Sequence, residues 1–276
     1  MMKPTIGFIG TGVMGGPIAR HLAKHVKTFV TNRTLEKAKA LGSSVQVVSM
    51  DDPQLHQCPI IFTMLGFPQD VRSVYMESLL SNVQPGTILI DLTTSSPSLA
   101  RELSSLGKRR SIHVLDCPVT GGLKGALDGQ LTIMAGGDYD VFTSIQPLLA
   151  YFGKTILYMG QAGAGQQAKL ANQIAIAGML ASLAEAISYS EFHHLPTDSI
   201  LTMLQSGAAQ SYASLVYGPK MINDDFEATF FVKHFVKDLM LAIEEVPVDF
   251  PVLHSVYTLM KHLEKTYPEE IGRAHV

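Results

Sequence analysis

The chain has 276 residues, 46% of them hydrophobic and 16% charged, with a formal net charge of −3. That length allows a large core and fits one or two domains. The near-neutral, slightly acidic composition leaves no electrostatic footprint for nucleic acid.

In chain order, the opening MMKPTIGFIG runs directly into a strand without signal-peptide architecture, so a cytoplasmic location is expected. TIGFIG, TFVTN, PIIFTML, TILIDL, HVLDCPV, LTIMAGG and TILYMG read as strands. In the first five of these, consecutive apolar positions suit a parallel sheet covered on both faces. Amphipathic patterns over Val13 to His25, Asp70 to Leu80 and Pro97 to Leu106 alternate with them, which predicts a doubly wound α/β domain. Beyond residue 162 the strand signals nearly vanish. Helical patterns follow over Ala164 to Phe192, Thr197 to Gln205, Ser211 to Ile222, Val236 to Glu245 and Pro251 to Lys265. HHLP, SGAA, NDDF and EVPVDFP mark the breaks. The expected organisation is a nucleotide-type domain over 1–162 and an all-helical domain over 163–276. Leu170 to Ser190 is apolar enough to raise a membrane span, but Asn172, Gln173 and Glu185 interrupt it and favour a buried helix. Cys58 and Cys117 are far apart and lack a CxxC partner, so they read as core residues of a reducing compartment.

IGFIGTGVMGGPIA places Gly10, Gly12 and Gly15 in GxGxxG spacing, after a strand and opening a helix. In that context the spacing predicts a Rossmann-type dinucleotide cradle, with the pyrophosphate at the helix N-terminus. About twenty residues further on, where an acidic residue would bind a ribose 2′-hydroxyl, the second strand ends in TNRT. Arg33 suits a 2′-phosphate, and Asn32 and Thr34 can add neutral hydrogen bonds, so NADP is expected in preference to NAD.

GFIGTGVMGGPIA, DLTTSSP, DCPVTGGLKGALDGQLTIMAGG, GAGQQAKLANQ and KDLMLA follow one another in this order. In these motifs, over residues 5 to 245, the chain resembles the β-hydroxyacid dehydrogenases, which include 3-hydroxyisobutyrate dehydrogenase and the glyoxylate/succinic semialdehyde reductases. The resemblance implies a Rossmann-type domain and a long interdomain helix. A helical domain that often mediates assembly follows, here as a homodimer or homotetramer. It implies interconversion of a small β-hydroxy acid with its semialdehyde. It assigns cofactor contacts to Val13, Met14, Leu65, Thr94 and Lys237. Thr120, Gly121 and Gly122 fall on the substrate-carboxylate loop, where serine is commoner at the first position. The resemblance thins after KDLMLAIEEVPVDFPVL, where KHLEKTYPEEIGRAHV replaces a longer tail.

A buried amine is costly unless it is paired or changes protonation state, so Lys169 in an apolar run calls for a reason. Lys169 and Asn172 lie three apart and share a helix face. Reduction of an aldehyde develops negative charge on its oxygen, and an ammonium there stabilises and protonates it. Lys169 is therefore expected to be the general acid, with Asn172 orienting it or the substrate. Asp116 and Asp238 read as structural partners, His234 as packing or substrate contact, and His193 and His194 as a helix end without metal. The rival readings are a non-catalytic dinucleotide-binding module, an imine reductase on the same scaffold, and a methyltransferase, which the NRT turn and the helical second half disfavour.

Overall fold

The structure is a computed structural model that describes residues 5–225 and 230–266. It divides into two compact units, Met1–Lys169 and Leu170–Val276. The strands of the first unit are β1 (Ile6–Ile9), β2 (Thr28–Thr31), β3 (Gln46–Val47), β4 (Ile60–Thr63), β5 (Ile88–Asp91), β6 (His113–Asp116), β7 (Val119–Thr120), β8 (Leu131–Gly136) and β9 (Gly153–Gly160). They form one sheet in the order β3-β2-β1-β4-β5-β6-β8-β7, with β9 on β8. β1 to β6 run parallel; β8 is antiparallel to β6 and β7 and parallel to β9.

Alternate side chains leave the sheet on opposite faces. Ile6, Phe8, Val30, Phe62, Ile90 and Leu115 enter one core, with Ile18 and Leu22 of α1 (Gly15–Ala23). Ile9, Phe29, Ile61, Leu89 and Val114 enter the other, with Leu55, Val71, Tyr75, Leu99 and Leu103. Both faces of β1, β2, β4, β5 and β6 are covered, which is why these strands read as continuous apolar runs. Each fully buried large side chain contributes about 1.5–3 kcal/mol, so this double core dominates the unit's stability.

The helices between the strands are α1, α2 (Leu35–Lys39), α3 (Pro53–His56), α4 (Pro68–Ser73), α5 (Leu80–Asn82), α6 (Pro97–Lys108), α7 (Gly122–Asp128) and α8 (Tyr139–Leu149). α3, α4 and α6 each begin on proline, whose fixed φ and missing N–H suit a first helical position. The helix expected from Asp70 therefore starts at Pro68, and it passes through a π-helical turn, Val74–Leu79, before α5. β3, α2, α3, α7 and α8 carried no clear signal. Most are too short for periodicity to register, and α8 has Pro147 inside it.

α9 (Ala164–Phe192) begins in the first unit and runs into the second. There it is followed by α10 (Thr197–Ser206), α11 (Tyr212–Val216), α12 (Gly218–Ile222), α13 (Val232–Glu245) and α14 (Pro251–Thr266). The expected helix from Ser211 to Ile222 is two helices. Pro219 has no N–H to continue the first and sits in the opening turn of the second. α13 starts four residues before the expected Val236. Among the described residues, α9 is the one helix long and apolar enough to cross a membrane by length and composition. Its Leu170, Ala177, Leu180 and Ile187 are buried in the second unit's own core, against Phe235, Leu239, Leu253 and Met260. The tail from residue 267 lies outside the described residues.

Candidate active site

The strand order reverses direction at β1, whose neighbours β2 and β4 lie at the ends of crossovers to opposite sides. In open α/β sheets the crevice at such a switch point, beyond the carboxyl ends of the strands, is where ligands bind. The glycine loop leaves β1 at that point. Gly10 has φ +98°, and a Cβ there would lie 2.1 Å from the Met64 carbonyl oxygen. A Cβ on Gly15 would lie 1.9 Å from the Gly10 carbonyl oxygen. Both positions must stay bare for the loop to fold over β1 and β4. Gly12 differs: nothing lies within 4 Å of its would-be Cβ. Its bareness serves no internal contact and leaves room for something outside the chain. α1 has no side-chain cap and no acidic residue in its first turn. No carboxylate of its own first turn therefore competes for its N-terminal dipole, and the cradle fits a dinucleotide pyrophosphate. Val13 is exposed and Met14 half-buried beside it.

At the end of β2, Asn32 is engaged at both ends of its amide. Its Oδ1 accepts from the Thr11 N–H at 3.0 Å, and its Nδ2 donates to the Thr34 carbonyl at 3.0 Å. Asn32 thus joins the glycine loop to the NRT turn. The Arg33 side chain is 92% exposed, with its guanidinium 3.7 Å from Asp70 Oδ1. An exposed pair of this kind is worth at most about 1 kcal/mol, so the cation can be redirected to a ligand. Thr34 is exposed beside it.

The ends of β4, β5 and β6 carry a buried polar network. Leu65 N–H donates to Thr93 Oγ1 at 2.8 Å. Asp91 Oδ1 accepts from Thr63 Oγ1 at 2.9 Å and from the Thr93 N–H at 3.0 Å. Asp116, paired in register with Asp91, accepts from the Gly163 N–H at 2.8 Å through Oδ1 and from the Gln166 N–H at 2.9 Å through Oδ2. Burial pushes the Asp91 and Asp116 carboxyls up to about 6, although hydrogen bonds to each favour the ionised form. Asp116 therefore seats the first turn of α9 on the end of β6. Gln166 adds two bonds to the loop after β5: its Oε1 accepts from the Ser95 N–H at 2.9 Å, and its Nε2 donates to the Thr93 carbonyl at 2.8 Å. Thr94, half-buried, lies between those two anchors.

Lys169 is buried one turn beyond Gln166 on the same helix. Three residues of α-helix rise about 4.5 Å, so its backbone stays near the carboxyl edge on which that turn is seated. Thr120 ends β7, and Gly121 (φ +127°) and Gly122 (φ +63°) turn the chain into α7, with backbone that only glycine adopts readily. A Cβ on Gly122 would also meet open space.

In the second unit, Asn172 Nδ2 donates to Gln173 Oε1 at 3.0 Å, and Gln173 Nε2 donates to Asp238 Oδ2 at 2.6 Å. Lys237 Nζ lies 3.1 Å from Asp238 Oδ1, with both side chains buried. Burial of this pair costs desolvation, which its attraction and the Gln173 bond oppose. His193 packs on the Tyr189 ring, and His194 takes φ +53° where α9 ends. His234 lies against the rings of Phe230 and Phe231. No cluster of potential metal ligands occurs among the described residues. Cys58 and Cys117 are free and buried; burial pushes the Cys58 thiol up to about 11 and the Cys117 thiol well above its ordinary range. Sequence reasoning missed Gln166, whose partners are more than seventy positions away, although a glutamine in an apolar helical run was a visible signal.

A switch-point cradle at a bare Gly12 and a helix seated on the same edge define a Rossmann-type dinucleotide-binding protein. Residues 5–160 match the NAD-binding domain of 6-phosphogluconate dehydrogenase. Residues 163–274 match the NAD-binding family of NADP-dependent 3-hydroxyisobutyrate dehydrogenase. The chain is 40% identical over 245 residues to the probable 3-hydroxyisobutyrate dehydrogenase-like 1, mitochondrial, of Arabidopsis thaliana, covering 87% of this chain and 73% of that protein. The structure resembles Mycobacterium tuberculosis 3-hydroxyisobutyrate dehydrogenase with L-serine, with a TM-score of 0.89 and 27% identity, covering 99% of this chain and 98% of that one. It also resembles Psf3 in complex with NADP+ and 2-OPP, with a TM-score of 0.89 and 28% identity, covering 98% and 97%. The chain belongs to the β-hydroxyacid dehydrogenase family, as an NAD(P)-dependent oxidoreductase of the 3-hydroxyisobutyrate dehydrogenase type.

Proposed function

We propose that the protein is an NADP-preferring reductase that interconverts a small β-hydroxy acid and its semialdehyde, with Lys169 as general acid. The observation that carries this is a buried lysine one turn into a helix whose start is bonded to the carboxyl ends of β5 and β6. That edge also bears the glycine loop, Leu65 and Thr94. A bound nicotinamide supplies or accepts the hydride. The Lys169 ammonium donates its proton to the carbonyl oxygen as that oxygen gains charge; in the oxidative direction the neutral amine takes it back. The Thr120 hydroxyl and the backbone N–H groups of Gly121 and Gly122 bind the substrate carboxylate, while Asn172 orients the lysine or the substrate. Val13, Met14, Leu65, Thr94 and Lys237 contact the dinucleotide.

The NADP preference rests on the exposed Arg33 and on the absence of an acid among Asn32, Arg33 and Thr34. A 2′-phosphate gains a guanidinium there, and Thr34 can add a neutral bond. The proposal extends to a cytoplasmic homodimer or homotetramer, for which light scattering on the purified protein is the check; a monomer contradicts it. The enzymatic test is a panel of short semialdehydes and β-hydroxy acids, each with NADPH or NADH, read at the nicotinamide absorbance band. Turnover of a small anionic semialdehyde with NADPH favoured is expected. Dinucleotide binding without turnover across the panel would support a binding module instead.

A further inference from the structure

The glutamine one turn before Lys169 has no place in the chemistry above, yet it is fully buried and makes three hydrogen bonds to two strand ends. Its backbone N–H goes to Asp116 at the end of β6, and its side-chain amide spans Ser95 and Thr93 after β5. The helix start is in close contact on its other side as well. A Cβ on Gly165 would lie 2.4 Å from the Met134 carbonyl oxygen and 2.5 Å from that of Asp116. Asp116 and Gly165 therefore fix the first turn of α9 against β6 and β8. Gln166 fixes it against the loop after β5, on which Thr94 lies.

We infer that Gln166 is a positioning residue: its amide ties the Thr93–Ser95 loop to the helix turn that carries Lys169 and holds the two in one register. The inference rests on the assignment of Lys169 as proton donor and of Thr94 as a cofactor contact. A buried glutamine needed only to fill space could be replaced by any side chain of its length. One with both amide ends bonded to the backbone of a single loop sets the distance between that loop and its own helix. A small displacement of a reacting group lowers the rate without a matching loss of binding.

The test compares the full-length wild type, Gln166→Met and Lys169→Ala with NADPH and the semialdehyde that turns over fastest. Rates are normalised to dinucleotide-binding molecules counted by NADPH fluorescence titration. Methionine matches glutamine in length and removes both amide bonds. Gln166→Met should lower kcat by about ten- to a hundred-fold while KM for NADPH changes by less than about three-fold. The primary isotope effect with deuterated NADPH should rise as chemistry becomes slower than product release. An unchanged normalised kcat, or a loss accompanied by an unchanged isotope effect, overturns the positioning role. If Gln166→Met does not accumulate, Gln166→Glu is read the same way, because it keeps the acceptor for Ser95 but loses the donor to Thr93; a wild-type kcat and isotope effect there overturn the role too. Full activity in Lys169→Ala would instead remove the proton-donor assignment itself, so the two failures are distinguishable.

Discussion

Adding one methyl group at each of two loop glycines separates folding from cofactor binding. At Gly10 the new Cβ lies 2.1 Å from a backbone carbonyl and the residue holds φ +98°, so Gly10→Ala must move main chain. A non-glycine residue in such backbone costs about 1–3 kcal/mol before the clash is counted. At roughly 2–4 °C per kcal/mol for a chain of this size, Tm should fall by at least about 4 °C. At Gly12 nothing lies within 4 Å and φ is ordinary for an L-residue, so alanine meets no obstacle. Gly12→Ala should leave Tm within about 2 °C of wild type or raise it slightly, because alanine restricts the unfolded chain. In the proposed binding mode its methyl occupies the approach to the pyrophosphate, so Kd for NADPH should rise at least about ten-fold. Differential scanning fluorimetry and NADPH fluorescence titration read the two effects. Wild-type affinity in Gly12→Ala would refute the placement of the pyrophosphate over that glycine, and destabilisation equal to that of Gly10→Ala would refute the loop geometry.

Three further outcomes are expected at other positions. Asp91, with its folded pKa raised to about 6, holds its proton more tightly folded than unfolded, so its contribution to stability is present below about pH 4 and lost as pH rises through about 6. Asp91→Asn removes that loss, and its stability relative to wild type should increase by about 2 kcal/mol from pH 4 to pH 8; a pH-independent difference in urea unfolding contradicts the buried-carboxyl assignment. Arg33→Asp should lower the NADP-to-NAD ratio of kcat/KM by at least about ten-fold, since a 2′-phosphate then meets a carboxylate; an unchanged ratio removes the phosphate contact. Cys58 and Cys117, with thiols raised by burial, should not react with a thiol reagent in the native protein and should react on denaturation; fast native labelling of either contradicts its burial.

What could be read from the chain alone was what neighbouring residues decide. The glycine cradle was legible because the strand, the turn and the helix start lie within ten residues. The sheet was legible because strands covered on both faces leave unbroken apolar runs. Lys169 and Asn172 were legible as a one-turn pair on an apolar helix. The polar network behind them was not. Asp116 read as a structural partner, but its bonds to Gly163 and Gln166 span 47 and 50 positions. Nothing local in DCPV signals that a strand-end carboxylate will seat a helix so far away. Asn32 had the right chemistry for a ligand, while its amide is bonded to Thr11 and Thr34 in the fold. β3, two residues long, is held by pairing with β2 rather than by its own sequence.

The most direct measurement of the central claim is a single-turnover experiment on Lys169→Ala, mixing enzyme saturated with NADPH against semialdehyde and following the nicotinamide absorbance. Loss of a general acid predicts a rate about 10²–10⁴-fold below wild type, with NADPH affinity nearly unchanged. A wild-type rate, or a loss explained wholly by weaker NADPH binding, would mean that Lys169 is structural and that the proton comes from elsewhere.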